Sequence, residues 1–464
     1  MTIQTTSERA RDLPFSADAI PGAARRLSRL IHGAVHLPGD RGYDEQREPL
    51  HPTIDPRPAM VVEASRAADV RAAVLTARDH DLPLAVQATG HGTHVASDGG
   101  LLLKTSTMAT VLVDPDRRVA RVGPGARWSG VLAAAAPFGL APLSGSAPSV
   151  GVTGYTLGGG VGWLARKHGF AADSLLRAEV VTEDGSIVTA SADQHPDLFW
   201  ALRGGGGNFG VVTALEFALH PVARVYAGTA YFAIDRAAET LTRYRDWIAD
   251  APDALSTAVL LTRMPDGPQT PAPVRGRRVL AIRALHVGEA DEAERLLTPL
   301  RAAAGPSLVD GLRSTAFADA AMGGTAPRHL DLFEELPDAV IQTLVQAGEE
   351  PDSPVSTVEV RHWGGAMARP GADAGPVGHR TVPLSVIVDA QVPSVVEALR
   401  PHATGGTFLN FLADPARTND AYTAADYRRL REVKRSYDPD NVFRLNHNIA
   451  PAAPGAVRRG SGSA

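Results

Sequence analysis

The sequence contains no cysteine among its 464 residues. This absence excludes disulfides, thiolate catalysis, cysteine-ligated zinc and iron–sulfur clusters. The chain also has no apolar run of about 18 residues, the length that a membrane-spanning helix requires. No block of basic residues stands out against the net charge of −5. We therefore predict neither a nucleic-acid-binding surface nor a membrane partner.

The beginning of the chain lacks the apolar segment of a secretory signal, so we expect a cytoplasmic protein. Hydrophobic residues make up 44% of the sequence and charged residues 21%, which is typical of a globular protein. A chain of 464 residues is too long for one ordinary core. We therefore expect two domains.

Glycine is concentrated in two segments. Residues 87–94 read Gln-Ala-Thr-Gly-His-Gly-Thr-His, and residues 145–162 read Gly-Ser-Ala-Pro-Ser-Val-Gly-Val-Thr-Gly-Tyr-Thr-Leu-Gly-Gly-Gly-Val-Gly. Glycine permits positive φ and lets a flat or charged ligand approach the main chain. Two such loops, one of which carries an imidazole, predict a cofactor held by backbone amides.

Other motifs are weaker. Residues 203–210 contain a formal G-x-G-x-x-G match, but residues 211–217 have a strand pattern where a nicotinamide-binding motif needs a helix. This segment therefore predicts a structural or flavin-lining turn. The pairs His91/His94 and His32/His36 lack the glutamate of an H-E-x-x-H motif, and no cysteine can complete a site, so no metal site is predicted.

The secondary-structure pattern indicates an α+β protein. Hairpins are predicted at residues 110–122 and 179–189, where turn residues separate alternating segments. Residues 221–400 alternate between strand and helix patterns, which indicates a sheet covered by helices. The region 426–436 has helical periodicity and is followed by Tyr-Asp-Pro-Asp-Asn-Val-Phe-Arg-Leu-Asn-His-Asn-Ile.

These segments together resemble the berberine bridge enzyme-like flavoproteins of the vanillyl-alcohol-oxidase type. The matching motifs are Thr-Gly-His-Gly at 89–92, the second glycine segment, Arg-Gly-Gly-Gly-Gly-Asn-Phe-Gly at 203–210 and the terminal Asn-His-Asn sequence. The resemblance implies an α+β fold: a two-subdomain PCMH-type FAD-binding domain with an inserted α/β substrate domain, whose antiparallel sheet is covered by helices. The implied domains are residues 1–57 and 58–220 for the FAD domain, 221–400 for the substrate domain, 401–450 for the returning segment, and 451–464 for a flexible tail.

The resemblance implies FAD as the cofactor, attached through the flavin 8α-methyl group to His91. It also implies a set of residues that line the cofactor. These are Thr89, Gly90, His91, Gly92, Thr93, His94, Ser149, Val150, Gly151, Gly154, Tyr155, Gly158, Gly159, Gly160, Val161, Gly210, Val211, Asn446 and Asn448.

The chain departs from the family pattern at three places. Ala147 stands where many relatives have a second, cysteinyl attachment, so at most one covalent bond is possible. Val161 and Phe408 stand where relatives have catalytic tyrosines. Val150 occupies the position that resembles the oxygen gate of the family, and this small residue favours reaction with O₂.

The missing tyrosines leave the catalytic base open. Glu359 and Arg361 are expected on one face of a strand and His362 on the other, because side chains alternate along a strand. Glu359, His362 and Tyr155 are the candidate catalytic residues, although a plain salt-bridged or solvated surface is an alternative for the strand and packing at the cofactor for Tyr155.

The resemblance implies an FAD-linked oxidase. We expect it to take a hydride from a secondary alcohol or amine of a polyketide, alkaloid or sugar, in specialised metabolism, and to be reoxidised by O₂ with release of H₂O₂. The partners would be this small molecule and O₂, and the protein a monomer or homodimer. The alternatives are a flavin dehydrogenase with another acceptor, a non-redox cyclase or flavin-binding scaffold, and a structural protein without cofactor.

Overall fold

The computed structural model describes residues 19–50, 54–320 and 322–453. Within these ranges the chain forms α-helices and three β-sheets. None of these helices combines the length and the apolar character needed to cross a bilayer. The helices are α1 Ala19–Leu27, α2 Tyr43–Arg47, α3 Ala67–Asp79, α4 Trp128–Ala135, α5 Val152–Leu157, α6 Ala165–His168, α7 Pro196–Leu202, α8 Ala237–Trp247, α9 Ala290–Ala304, α10 Asp338–Glu349, α11 Pro393–Leu399 and α12 Ala424–Tyr437.

The first sheet has the strand order β1-β2-β4-β3. Its strands are β1 Val35–His36, β2 Met60–Glu63, β3 Leu84–Gln87 and β4 Leu101–Lys104. Strands β2 and β3 both pair with β4 in parallel, and α3 makes the connection between them. Val70, Val74 and Ala77 on α3 are fully buried in the core of this sheet. The first glycine segment begins at the carboxyl end of β3.

The second sheet is antiparallel, with the order β5-β6-β9-β7-β8. Its strands are β5 Val111–Asp114, β6 Val119–Val122, β7 Leu175–Val181, β8 Ile187–Ser191 and β9 Val211–Ala218. The two predicted hairpins are confirmed as β5–β6 and β7–β8. Trp128 and Leu198 pack in the core of this sheet together with Leu430 from α12, far away in sequence.

The third sheet is antiparallel and follows the path β13-β10-β12-β11-β16-β17-β15, with β14 paired to β10. One face packs against helices α8 and α10 through Leu241 and Leu344. The opposite face packs Leu260 and Leu285 against Trp163, which follows the triple glycine. The strands are β10 Arg224–Ala233, β11 Leu255–Arg263, β12 Arg278–His286, β13 Ser307–Asp310, β14 Arg313–Ala316, β15 His329–Phe333, β16 Thr357–His362 and β17 Leu384–Val388.

The C-terminal segment returns to the first two sheets. The amide of Leu84 on β3 donates to the carbonyl of Val442 at 2.8 Å, and Ala452 donates to the carbonyl of Arg431 at 2.9 Å. Residues 451–453 of the predicted tail are thus attached to α12, and the rest of that prediction lies outside the described residues. The five domain boundaries stay predictions.

The predicted α+β class and the helix-covered antiparallel sheet are confirmed. One local expectation is wrong: the second glycine segment is not a loop throughout, because residues Val152–Leu157 form α5. The hydrophobic contacts explain this helix. Val152 and Leu157 are buried in the core of the second sheet, and this packing outweighs the low helix propensity of Gly154.

Candidate functional site

His91 lies where the two glycine segments meet. Its Nδ1 atom is 3.1 Å from the hydroxyl of Thr89, and its Nε2 atom is 3.2 Å from the hydroxyl of Ser149. The preceding turn requires glycine, because Gly90 has φ +78°. The half-buried imidazole is therefore held between one hydroxyl of its own segment and one of the other segment.

The triple glycine is fixed by the C-terminal segment. Asn410 accepts a hydrogen bond from the amide of Gly160 at 2.8 Å and donates to the carbonyl of Tyr155 at 3.2 Å. A methyl group at Gly160, which has φ +71°, would collide with the ring of Tyr155. These glycines therefore allow α5 and its following turn to pack closely against residues 408–411.

Two observations indicate that a ligand completes this region. First, a methyl group added at Gly92 or Gly154 would meet no protein atom within 4 Å, so the main chain is open to a close approach there. Second, several buried side-chain oxygens have no hydrogen-bond partner among the described residues, which is uncommon in folded proteins. They are Thr153 Oγ1, Tyr155 Oη, Thr156 Oγ1, Asn446 Oδ1 and Asn448 Oδ1.

A buried network holds the asparagines of the C-terminal segment. The ammonium of Lys434 donates to the carbonyls of Asn208 and Phe443 at 2.8 and 3.1 Å and to Asp438 at 2.5 Å. The side chain of Asn208 donates to the carbonyl of His447 and accepts from the amide of Ile449. The network connects the turn at residues 203–210 to the irregular segment that carries Asn446 and Asn448.

Tyr155 projects from α5 into this region. Its ring makes an edge contact with Trp128, with centroids 5.4 Å apart. Burial raises the pKa of its hydroxyl, although the charge of Arg361 acts in the opposite direction. The phenol is therefore neutral near neutral pH, and it is suited to donate a hydrogen bond rather than to accept a proton.

Glu359 and Arg361 share one face of β16, as the strand period predicts. Arg361 donates to Oε1 of Glu359 through Nε at 2.7 Å, and Thr325 donates to Oε2 at 2.6 Å. Burial favours a raised pKa for this carboxyl, but the charges of Arg361 and Arg283 outweigh it and hold its pKa below the usual range. Glu359 is therefore an ionised, fully bonded carboxylate, which makes a weak base.

His362 faces the other side of β16. Its Nε2 atom is 2.8 Å from Nη1 of Arg166, and burial together with this guanidinium lowers the pKa of His362 to about 3. An imidazole with this pKa stays neutral and takes up no proton near pH 7. The catalytic roles of Glu359 and His362 stay predictions, and these surroundings weigh against both.

Three further predicted cofactor residues differ in their surroundings. The ring of His94 contacts that of His447, with centroids 5.4 Å apart and the rings tilted by 48°. Gly210, in contrast, packs so closely against Val180 that a methyl group would come within 2.5 Å of it, and Val211 is buried in the core of the first sheet. The surroundings of Gly210 and Val211 are therefore filled by protein.

The two positions that lack tyrosine lie together in one apolar cluster. Val161 and Phe408 are both buried there with Trp363 and Ile387. Phe408 stacks on Phe170 with a centroid distance of 5.6 Å. No hydroxyl is therefore supplied from these two positions.

Sequence reasoning missed Asn410, Lys434 and Arg283. Asn410 was visible as the polar residue inside the segment Phe-Leu-Asn-Phe, while Lys434 and Arg283 gave no signal because lysine and arginine in helices and strands are usually solvated. Within the described ranges, no three histidine, aspartate or glutamate side chains are grouped so that they could hold a metal ion.

Comparisons with known proteins agree with this geometry. Two family models match the chain, "FAD binding domain" over residues 58–191 and "Berberine and berberine like" over residues 407–450. (R)-6-hydroxynicotine oxidase of Paenarthrobacter nicotinovorans is 29% identical, across 91% of this chain and 97% of the relative.

Solved structures give the same result. The crystal structure of 6-hydroxy-D-nicotine oxidase from Arthrobacter nicotinovorans has a TM-score of 0.78 at 27% identity, covering 91% of this chain and 98% of that one. Glucooligosaccharide oxidase from Acremonium strictum, described with a 6-S-cysteinyl, 8α-N1-histidyl FAD, has a TM-score of 0.78 at 23% identity, covering 94% and 100%, and supports the fold alone.

The fold, the open glycines and the unpaired oxygens fit FAD, and together with the family matches they define a flavoprotein with a PCMH-type FAD-binding fold. More particularly, the chain carries the FAD-binding domain and the berberine-like segment found in the berberine bridge enzyme-like FAD-linked oxidoreductases that it resembles, and it is an enzyme. FAD is its cofactor. Because the sequence has no cysteine, a histidyl bond is the only one of the two attachments open to it.

Proposed function

We propose that this enzyme is an oxidase whose flavin is attached at His91. Its substrate is a small molecule with a C–H bond beside oxygen or nitrogen, such as a secondary alcohol or amine of a polyketide, alkaloid or sugar, and its setting is specialised metabolism. Bound FAD would supply the hydride acceptor of this oxidation, with O₂ as the final acceptor of the electron pair and H₂O₂ as the product. The position of His91 between the two glycine segments carries this proposal.

The contacts of His91 support its role as the attachment point. The hydroxyls of Thr89 and Ser149 lie at hydrogen-bonding distance from the two ring nitrogens and fix the plane of the imidazole. When one nitrogen forms the covalent bond, the contact at the other nitrogen still orients the ring. The nearby Gly92 leaves the main chain open on this side.

Three further residues contribute by positioning and exclusion. Tyr155, as a neutral buried phenol, donates a hydrogen bond to a ligand oxygen or nitrogen. Val161 and Phe408 exclude water and thereby strengthen polar interactions at the reacting atoms. Val150, a small side chain on the second glycine segment, leaves space for O₂, and this supports an oxidase over a dehydrogenase.

Anaerobic stopped-flow mixing tests the oxidase reaction. Purified enzyme is mixed with 6-hydroxynicotine, with oligosaccharides and with a panel of cyclic secondary alcohols, and the blue absorbance of the flavin is followed. We expect bleaching by at least one class and rapid return of the colour on mixing with air, with one H₂O₂ formed per reduced flavin.

Two outcomes would replace this function. Slow return of the colour in air, with rapid return on addition of an artificial acceptor, would indicate a dehydrogenase. Substrate turnover without any bleaching would indicate a non-redox cyclase that uses the flavin as a scaffold. A protein that is colourless as purified and stays so after incubation with FAD would contradict the cofactor itself.

A further inference from the structure

The third sheet carries an unbalanced charge on the face that packs towards the glycine segments. Arg283 on β12 and Arg361 on β16 both lie directly beside Ala258 of the intervening strand β11. The small side chain of Ala258 leaves room between them. The side chains are largely buried, with exposed fractions of 13% for Arg283 and 7% for Arg361.

Both guanidinium groups form ion pairs with the same carboxylate. Glu359 accepts from Nε and Nη2 of Arg361 at 2.7 and 2.6 Å, and its second oxygen lies 3.8 Å from Nη1 of Arg283. All ion pairs of these two arginines within the described part of the chain end on Glu359. Thr325 also donates to this carboxylate, and the single negative charge of Glu359 leaves one of the two positive charges unbalanced.

Several N–H groups of the two guanidinium groups make only long hydrogen bonds, or none, among the described residues. The hydrogen bonds of Arg283 are long, at 3.4 Å to Thr229 and 3.5 Å to the carbonyl of Gly323. No hydrogen bond among the described residues uses Nη2 of Arg283 or Nη1 of Arg361. A guanidinium has five N–H donors, and burying such a cation is costly unless an anion and acceptors surround it.

These donors lie beside the second glycine segment. The guanidinium of Arg361 stacks over the ring of Trp163 at 4.8 Å, and the indole N–H of Trp163 donates to Ser146 at 3.0 Å. A small open cleft lies between this segment and the sheet, lined by Ser146, Trp163 and Leu285 among others. Leu285 shares a strand face with Arg283, two residues away.

We propose that Arg361 and Arg283 together bind an anionic oxygen group of the substrate, a carboxylate or an acidic phenolate. The inference rests on the proposed function in taking this cleft as the reaction site, and it narrows the substrate to compounds that are anionic at neutral pH. Arginine suits this task because its planar fork matches the two oxygens of a carboxylate.

Binding of benzoate, compared with its neutral isostere benzamide, tests the proposal. Affinities are measured on the purified holoenzyme by calorimetry and by the change in the flavin spectrum. We expect benzoate to bind at least tenfold more tightly than benzamide. R361Q and R283Q should each weaken benzoate binding by about tenfold or more and leave benzamide unaffected, as one charged hydrogen bond is lost in each.

Glu359→Gln should change the affinity for benzoate in the opposite direction. It removes the competing carboxylate at nearly constant shape, so benzoate should bind several-fold more tightly, whereas a merely structural ion pair would give unchanged or weaker binding. Arg313→Gln, an exposed arginine of the same sheet, is the matched control and should bind benzoate like the wild type. Melting temperatures show whether each variant is folded. If R361Q is not folded, benzoate binding by R283Q and E359Q decides the test.

Equal affinity for benzoate and benzamide would overturn the proposal, and so would wild-type benzoate binding by R283Q or weaker binding by E359Q. These results are separate from the test of the oxidase reaction, because calorimetry needs neither turnover nor flavin colour. An enzyme that selects benzoate but fails to bleach with any substrate would keep the anion site and contradict the oxidase.

Discussion

The cofactor region and the third sheet meet at one cleft but differ in how completely the protein satisfies its own atoms. Around His91 and α5, buried oxygens of Thr153, Asn446 and Asn448 have no hydrogen-bond partner in the described part of the chain, and glycines leave the main chain open. In the third sheet, Leu261 and its neighbours fill one face completely. The difference indicates that the first region is completed by a ligand, whereas the helix-covered face of the sheet is stable through its own packing.

The largest expected effect is the loss of the covalent bond. His91→Ala should release all yellow colour into the supernatant when the purified enzyme is precipitated with acid, while the wild type keeps the colour in the pellet. His94→Ala, which changes the other imidazole of the same segment, should retain a coloured pellet. A coloured His91→Ala pellet would contradict the assignment of the attachment.

A core substitution in the third sheet should lower the stability of the protein and leave its flavin content unchanged. Leu261→Ala removes a fully buried side chain on the helix-covered face, and such changes cost about 2–5 kcal/mol in the free energy of unfolding. The flavin content of the folded variant should equal that of the wild type. Denaturant unfolding and the ratio of flavin to protein absorbance measure the two quantities, and loss of flavin would remove the contrast between the regions.

Two glycines on either side of the triple glycine sharpen the contrast further. A methyl group at Gly154 would meet no protein atom within 4 Å, so Gly154→Leu should change the stability of flavin-free protein by about 1 kcal/mol or less but prevent FAD loading. At Gly162 a methyl group would collide with the carbonyl of Ser144, so Gly162→Ala should cost about 1–3 kcal/mol. Protein from riboflavin-starved cells, before and after addition of FAD, gives both measurements.

The smallest expected effect is a pH dependence of stability outside the cleft. Burial, followed by the nearby Asp438 and Asp440, raises the pKa of Glu183 from 4.5 to about 7. The folded protein therefore keeps a proton that the unfolded chain has lost, and stability falls as pH rises from about 4.5 to about 7.

Glu183→Gln removes this dependence. It should raise the free energy of unfolding by about 1 kcal/mol at pH values above 7 and have little effect at about pH 5. Urea unfolding at several pH values measures it. A variant that is equally stabilised at every pH would show that Glu183 acts through packing and not through its proton.

The sequence was informative where local chemistry determines structure. The hairpins were predicted from turn residues between alternating segments. Tight turns near His91 were predicted from the glycine clusters, because glycine readily adopts positive φ. The helix α5 was not predicted, because its stability comes from burying Val152 and Leu157 in a core to which distant helices contribute. Glycine content alone indicated a loop.

The charged pair of arginines could not be predicted. Arg283 and Arg361 come together only because β11 lies between their strands and places Ala258 level with both. The order and register of the strands depend on packing over the whole sheet. Lys434 was missed for a similar reason: helical periodicity placed it beside the apolar stripe, and only the contacts with Asn208 and Asp438 explain its complete burial.

The attachment of residues 407–450 to the first two sheets affects how the enzyme is made. Asn410 bonds to the triple glycine, and Val442 pairs with β3. The cofactor region can therefore be completed only after the C-terminal segment has been synthesised. The first two sheets are synthesised before the residues of the third sheet, and the C-terminal segment that packs on them is synthesised after those residues. Flavin loading is therefore a late event in biosynthesis, and truncated translation products should emerge colourless.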